Sequence, residues 1–387
     1  MDNFQLRTPT EFILEPDAES RVGQIVNNYG TRVLLVHYGE SFLYSSGLYQ
    51  RVTDSLKQSG VSFWELSGVQ PNPLIGLAKQ GVSIAIKNGV DLILGIGGGS
   101  VIDTVKAIAI GVKYHGDLWD LFCGKALPEE ALPCGIIMTT ASTGSEGSNG
   151  SVMTNEATHE KRDVMSDLIR PAFVLINPRL TFTLPPVQTA YGIVDMISHV
   201  MERYFTSSVD TVLVDEMSEA VIRSMIILGR RVLRDPRDYN ARAELMVASI
   251  FAHNGLLGIG RNQDWSCHVM GAPISGVYNI PHAATLSALI PSWMRYVMGA
   301  DPARFARFAT RALGVPQGAD DEETAKTGIA TLEAFYRELN MPLSLSELGV
   351  EHSQLGVLAK MAIGEWHIGS ICPIGAAEIE EIYQRAF

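Results

Sequence analysis

The sequence predicts an α/β half followed by an all-helical half. Up to residue 185, short β-type runs alternate with helical ones, the pattern of a parallel sheet covered by helices. Beyond Pro185-Pro186 the strand signals stop and long helical patterns take over. At 387 residues the chain exceeds one ordinary core, so two domains are expected, 1–185 and 186–387.

In chain order, RVLLVH (32–37) reads as a strand that leads into a loop at Tyr38-Gly39-Glu40-Ser41. A helix over 47–59 and a strand over 62–66 follow. Asn72-Pro73 then opens a helix reaching residue 88, and a third strand covers 91–96. That strand runs into Gly95-Ile96-Gly97-Gly98-Gly99-Ser100 and a helix over 101–112. Consecutive glycines between a buried strand and a helix let backbone amides approach a phosphate, and the helix N-terminus adds partial positive charge. The spacing is neither GxGxxG nor a Walker A loop. An alternative is simple capping, with Ser100 as N-cap and Asp103 three residues on; the strand–glycine–helix context favours phosphate.

GIIMTT (135–140) is the next strand and runs into Ala141-Ser142-Thr143-Gly144-Ser145-Glu146. These hydroxyls suit ribose, pyrophosphate or carboxamide binding, or ordinary turn chemistry. Lys161-Arg162 either caps the same site or is solvated. The strand over 172–176 is the last expected. Helices are expected over 189–205, 209–233, 239–257, 281–298, 301–313, 322–339 and 376–385.

A net charge of −12 argues against nucleic acid or an acidic membrane as partner. The four cysteines (Cys123, Cys134, Cys267, Cys372) lack CxxC spacing, so reduced thiols are expected rather than disulfides or a thiolate zinc site. Residues 1–19 are polar and do not read as a signal peptide, and no apolar run reaches a membrane span.

The run GIVDMISHVMERYF places Asp195 and His199 at i and i+4 on one helix face. Ile193, Val194, Ile197, Val200 and Met201 cover the other faces, so this helix is expected to be buried nearly all round. A buried carboxylate and imidazole need partners. They form either a hydrogen-bonded pair or half of a metal site. His268 in WSCHVMG and His282 in YNIPHA add two imidazoles. Asn279 reads as N-cap and Pro281 as first-turn residue, placing His282 in an opening helical turn, where a neutral ring is favoured. One carboxylate and three imidazoles make an N3O set suited to Zn²⁺ or Fe²⁺. His37, His115, His159, His253, His352 and His367 have no such context, though His367 in WHIG is near enough in pattern to reach a cleft.

Four stretches together resemble the iron-containing (group III) alcohol dehydrogenases, in particular their butanol dehydrogenase and aldehyde reductase branch. GIGGGSVID (95–103) is similar to the family's pyrophosphate loop and TTASTGSE (139–146) to its nicotinamide-side loop. GIVDMISHVMERY (192–204) is similar to its first ligand pair, and the stretch from Gln263 to Trp293 to its second. The likeness spans nearly the whole chain. It implies a Rossmann-like dinucleotide-binding domain and a helical domain in a dehydroquinate synthase-like architecture, with a metal in the cleft between them. It implies Fe²⁺ or Zn²⁺ on Asp195, His199, His268 and His282, which are thereby the catalytic set. Cofactor contacts are implied at Gly39, Glu40, Gly97, Gly98, Gly99, Ser100, Asp103, Thr139, Thr140, Thr143, Ser148 and Lys161. The implied chemistry is hydride transfer between a nicotinamide cofactor and a primary alcohol or aldehyde, with the metal as Lewis acid. A cytoplasmic homo-oligomer, a dimer, is implied as well.

Two departures stand out. Ala272 occupies the place where relatives commonly carry a proton-relaying histidine. Where NADP-using relatives have glycines followed by lysines, this chain has Glu40, whose carboxylate suits a free 2′-hydroxyl, so NAD(H) is expected over NADP(H). Two further readings share the architecture: a polyol (glycerol-type) dehydrogenase, and a non-catalytic nucleotide-binding homologue.

Overall fold

The computed structural model describes residues 1–39, 41–158 and 160–387; Glu40 and His159 lie outside the described residues. The chain divides into two compact units. One comprises Arg7–Leu184 with Pro236–Ile250, the other Met1–Leu6, Pro185–Asp235 and Phe251–Phe387.

The first unit is built on β1 (Glu11–Leu14), β2 (Arg32–His37), β3 (Ser62–Leu66), β4 (Leu92–Gly97), β5 (Cys134–Met138), β6 (Gly150–Asn155), β7 (Glu160–Met165) and β8 (Phe173–Ile176). Six of these form one parallel sheet in the order β1-β8-β5-β4-β2-β3, and β6 and β7 pair as a separate antiparallel hairpin. Its helices are α1 (Val22–Val26), α2 (Ser41–Ser45), α3 (Leu48–Gln58), α4 (Ile75–Asn88), α5 (Gly99–Gly111) and α6 (Leu118–Phe122). Strand residues alternate between two cores. Leu34, Val36 and Ile93 face the core shared with α4, α5 and α6, while Val33, Leu35, Leu92 and Leu94 face the one shared with α1 and α3. Burial on both faces explains why these strands are uninterrupted apolar runs.

The helix following β2 covers one face and the helix following β4, its neighbour in the sheet, covers the other. The chain therefore reverses direction between β2 and β4, and the carboxyl ends of those strands flank the switch point where such sheets bind ligands. Gly39 and Gly97–Gly99 leave the sheet there.

Three differences from the expected elements have local causes. β1 and the β6–β7 hairpin were not expected, because EFIL is a short edge strand and EKRDVM carries mostly charge, masking the period. α4 starts at Ile75, three residues late, since Asn72 is left-handed (φ 54°) and the Pro73 carbonyl accepts from Thr154 N. Ser41 opens α2 instead of closing a loop.

The second unit is helical. From Pro185 onward the chain forms α7 (Pro186–Tyr204), α8 (Val212–Arg234), α9 (Tyr239–His253), α10 (Ser266–Tyr278), α11 (His282–Val297), α12 (Pro302–Arg311), α13 (Asp321–Glu338), α14 (Leu355–Ile363) and α15 (Ala376–Arg385). Most of α9 belongs to the sheet unit: Met246 and Ile250 join its core and Ser249 hydrogen-bonds to Glu146. α10 had no clear helical signal because Gly271, Ala272 and Pro273 interrupt its pattern. Asn279 is the left-handed C-cap of α10 rather than the N-cap of α11, whose N-cap is Pro281. None of the described helices is long and apolar enough to cross a membrane.

Candidate functional site

In the sheet unit, α5 begins at Gly99 with Gly98 as N-cap and no side-chain cap. Ser100 lies inside the helix, so the capping alternative is not what forms, and among the described residues no side-chain cap hydrogen bond is made at its N-cap. The loop packs against the hydroxyl-rich segment after β5. A Cβ at Gly98 would stand 2.3 Å from Thr140 Oγ1, and one at Gly99 would stand 2.7 Å from Thr143 Cγ2. Gly97 meets Val101 and Tyr38 in the same way. Thr139 N donates to the Gly97 carbonyl (3.2 Å), and Thr143 Oγ1 accepts from Ser145 N (3.0 Å). Gly98 has φ −103°, so close approach, not a left-handed backbone, demands glycine.

Beneath this pair of loops lies Lys106, fully buried on α5. Its ammonium donates to the carbonyls of Ser145 (2.6 Å), Gly150 (2.8 Å) and Ser148 (2.9 Å) and reaches both serine hydroxyls at 3.1 Å. Ser145 Oγ donates in turn to Asp103 Oδ1 (2.7 Å). Burial lowers the Lys106 pKa to about 8, opposed by the nearby Asp103 carboxylate, and burial raises that of Asp103. Asp103 and Ser148 are thus engaged within the protein. Lys106 was missed in the sequence, where the available signal was Asp103 three residues before it on an otherwise apolar helix. Lys161, on β7, donates to Asn72 Oδ1 (3.2 Å), and Gly39 N donates to His37 Nδ1 (3.0 Å).

In the helical unit, α7 is buried along nearly its whole length, as its apolar faces require. Asp195 Oδ1 lies 3.9 Å from His268 Nε2, and one ligand atom each from Asp195, His268 and His282 lie within 4.8 Å of one another. The His268 and His282 rings are 5.1 Å apart. His199, one turn beyond Asp195, places its ring 4.5 Å from that of His268. Its Nδ1 bonds the Asp195 carbonyl (2.9 Å), so Nε2 is the nitrogen left for a ligand. Burial lowers the His199 pKa well below the usual imidazole value, and His253, His268, Arg203 and His282 add to the effect. The ring is therefore neutral, the form a metal takes. His268 Nε2 is buried and makes no hydrogen bond among the described residues. A donor left in that state beside a carboxylate suits a cation.

Three neighbours escaped the sequence reading. Glu202, seven residues after Asp195 on the same helix, accepts from His268 Nδ1 and from His268 N, both at 2.9 Å. His253 packs its ring 4.2 Å from His199 and bonds Arg203 at 2.9 Å. Trp265 holds a left-handed backbone (φ 63°) at the start of α10, with the Arg203 guanidinium 4.6 Å from its ring. The i, i+4, i+7 spacing of Asp195, His199 and Glu202 was the available signal for Glu202. Nothing local marked His253.

A parallel sheet with a glycine-rich strand–helix loop and a helical unit bearing a carboxylate–imidazole cluster together suit a nucleotide-using, metal-dependent enzyme. The model of the iron-containing alcohol dehydrogenase matches residues 9–178, and that of the Fe-containing alcohol dehydrogenase family, C-terminal, matches 189–387. The chain belongs to the iron-containing alcohol dehydrogenase family. It is 39% identical to a probable NADH-dependent butanol dehydrogenase 1 of Bacillus subtilis, each chain covered in full. It is 38% identical to NADH-dependent butanol dehydrogenase A of Clostridium acetobutylicum, again covering both chains in full. The solved NADH-dependent butanol dehydrogenase A of Thermotoga maritima superposes with a TM-score of 0.95 at 36% identity, covering 100% of this chain and 99% of that one.

Proposed function

We propose that this oxidoreductase transfers hydride between NAD(H) and a primary alcohol or aldehyde, using a divalent metal held by Asp195, His199, His268 and His282. The observation that carries the reading is the convergence of Asp195, His268 and His282 within 4.8 Å, with a buried His268 nitrogen that makes no hydrogen bond among the described residues. The sheet unit is the dinucleotide-binding domain and the helical unit the metal-binding one. A bound Fe²⁺ or Zn²⁺ supplies Lewis acidity toward the substrate oxygen, and the nicotinamide carries the hydride. The chain's own residues do the rest. The glycine loop offers uncapped amides to the pyrophosphate, with Ser100 at the helix start. Thr139, Thr140 and Thr143 supply hydroxyls beside it. Asp195 provides the anionic donor and the neutral histidines the nitrogens. Ala272 offers no proton, so exchange with solvent passes through water or another group.

NAD(H) is preferred over NADP(H), supported by the NADH-dependent names of the relatives and by the carboxylate of Glu40. Four free thiols fit a reducing cytoplasm. A homodimer is the commonest closed assembly for such a chain. The test is His199→Ala, with metal content measured alongside NADH-linked reduction of butanal. Metal and activity are expected to fall together with little change in circular dichroism. Full metal content in the purified variant refutes the ligand assignment.

A further inference from the structure

From the contacts around His268 we infer that Glu202 is the positioning residue of the metal centre: it fixes the tautomer and aim of His268 and supplies negative charge beneath it. This rests on the ligand reading proposed above and extends it to a residue outside the ligand set.

Glu202 is 3% exposed, on the face of α7 that also bears Asp195 and His199. One carboxylate oxygen, Oε1, accepts two hydrogen bonds from the same residue: His268 N and His268 Nδ1, both at 2.9 Å. Because an ionised carboxylate only accepts, the proton of a neutral His268 ring sits on Nδ1 and the lone pair on Nε2. The two-point hold also sets where that lone pair points, since it constrains both the backbone and the ring. Nε2 lies 3.9 Å from Asp195 Oδ1, too far for a hydrogen bond. Two ligands of one tetrahedral ion with bonds of 2.0–2.1 Å stand about 3.4 Å apart, so a small inward shift brings both into range.

The second oxygen, Oε2, is buried without a hydrogen bond among the described residues. The Glu202 carbonyl accepts from Asp264 N (2.8 Å), which ties α7 to the segment leading into α10. Asp264 itself accepts from the amides of Ser266, Ser370 and Ile371. A carboxylate with one buried oxygen unsatisfied is costly to keep unless a positive charge sits nearby. The buried Arg203 guanidinium already meets part of that need, since the Glu202 carboxylate raises its pKa against the effect of burial. An ion one imidazole away would add a second positive charge, and carboxylate–imidazole–metal relays of this kind commonly raise metal affinity ten- to hundredfold.

The experiment titrates Zn²⁺ into the metal-free full chain against a chromogenic chelator, for wild type, Glu202→Gln, Glu202→Ala and His268→Ala. Melting of each metal-free protein is measured in parallel. Glu202→Gln keeps an oxygen acceptor but loses the charge, so about tenfold weaker Zn²⁺ binding is expected, with metal-free melting unchanged; Glu202→Ala should approach a hundredfold. Wild-type affinity in Glu202→Gln overturns the inference while leaving the ligands intact. Wild-type affinity in His268→Ala, or no binding by wild type, overturns the ligand reading itself. If the variants fail to fold, ¹⁵N-histidine spectra of the metal-free wild type decide. His268 with its proton on Nδ1 supports the inference, and a proton on Nε2 overturns it.

Discussion

Replacing Lys106 by Met tests whether the two cofactor loops are held from below. The ammonium is wholly buried and is shared among three carbonyls and two hydroxyls of Ser145, Ser148 and Gly150. Methionine fills a similar length but donates nothing, so those oxygens lose their partner and Asp103 loses its nearby cation. Removing one member of a buried charged network typically costs about 3–5 kcal/mol. At about 2–4 °C per kcal/mol for a domain of this size, the sheet unit should melt on the order of 10 °C lower. Because the chain has two units, melting is followed by near-UV circular dichroism with both transitions fitted. NADH affinity, read by fluorescence, should also fall, since Thr140 and Thr143 stand directly on Gly98 and Gly99. Alkaline pH separates the charge from the packing. Folded Lys106 has its pKa lowered to about 8 by burial, against an ordinary value of 10.5. Between those values the unfolded chain keeps a proton that the folded chain has released. Wild-type stability contributed by this group therefore rises from pH 8 toward 10.5, and below pH 8 it is flat. Lys106→Met should lack that rise. Melting and NADH affinity equal to wild type in Lys106→Met would show that the loops hold themselves, and the reasoning from the buried ammonium would be wrong.

Gly98→Val should weaken NADH binding strongly, and the predicted 2.3 Å approach to Thr140 Oγ1 adds about 1–3 kcal/mol of destabilisation through overpacking; unchanged affinity returns the glycines to a purely structural role. Glu40→Gly should raise the NADPH-to-NADH activity ratio about fivefold or more, given about 1–4 kcal/mol for one charge contact near 4 Å. The change should be larger at low salt. An unaltered ratio at low ionic strength would mean that the Glu40 carboxylate plays no part in the choice of cofactor.

The sequence alone determined the elements whose signal is local. Alternation of short apolar runs such as RVLLVH with helical patterns encoded a parallel sheet, and burial on both faces is why those runs are uninterrupted. Three glycines between strand and helix encoded the loop, and the i, i+4 pair of Asp195 and His199 on an apolar helix was legible for the same reason. The local hairpin of GSVMTN with EKRDVM was hidden by the charge on its second strand, and the pairing of EFIL with FVLI was not legible, because that edge strand takes its place from a partner far along the chain. Lys106, Glu202 and His253 belong to that second class. A buried ammonium looks in sequence like any surface lysine until the carbonyls of Ser145, Ser148 and Gly150 close around it. Glu202 carries the i+7 spacing on a helix expected to be buried, but its partner is not legible until α10, itself disguised by Gly271 and Pro273, delivers the His268 ring to its carboxylate. Hydrophobic period is a property of neighbours in the chain, whereas satisfaction of a buried charge depends on neighbours in space, and only the tertiary structure supplies those.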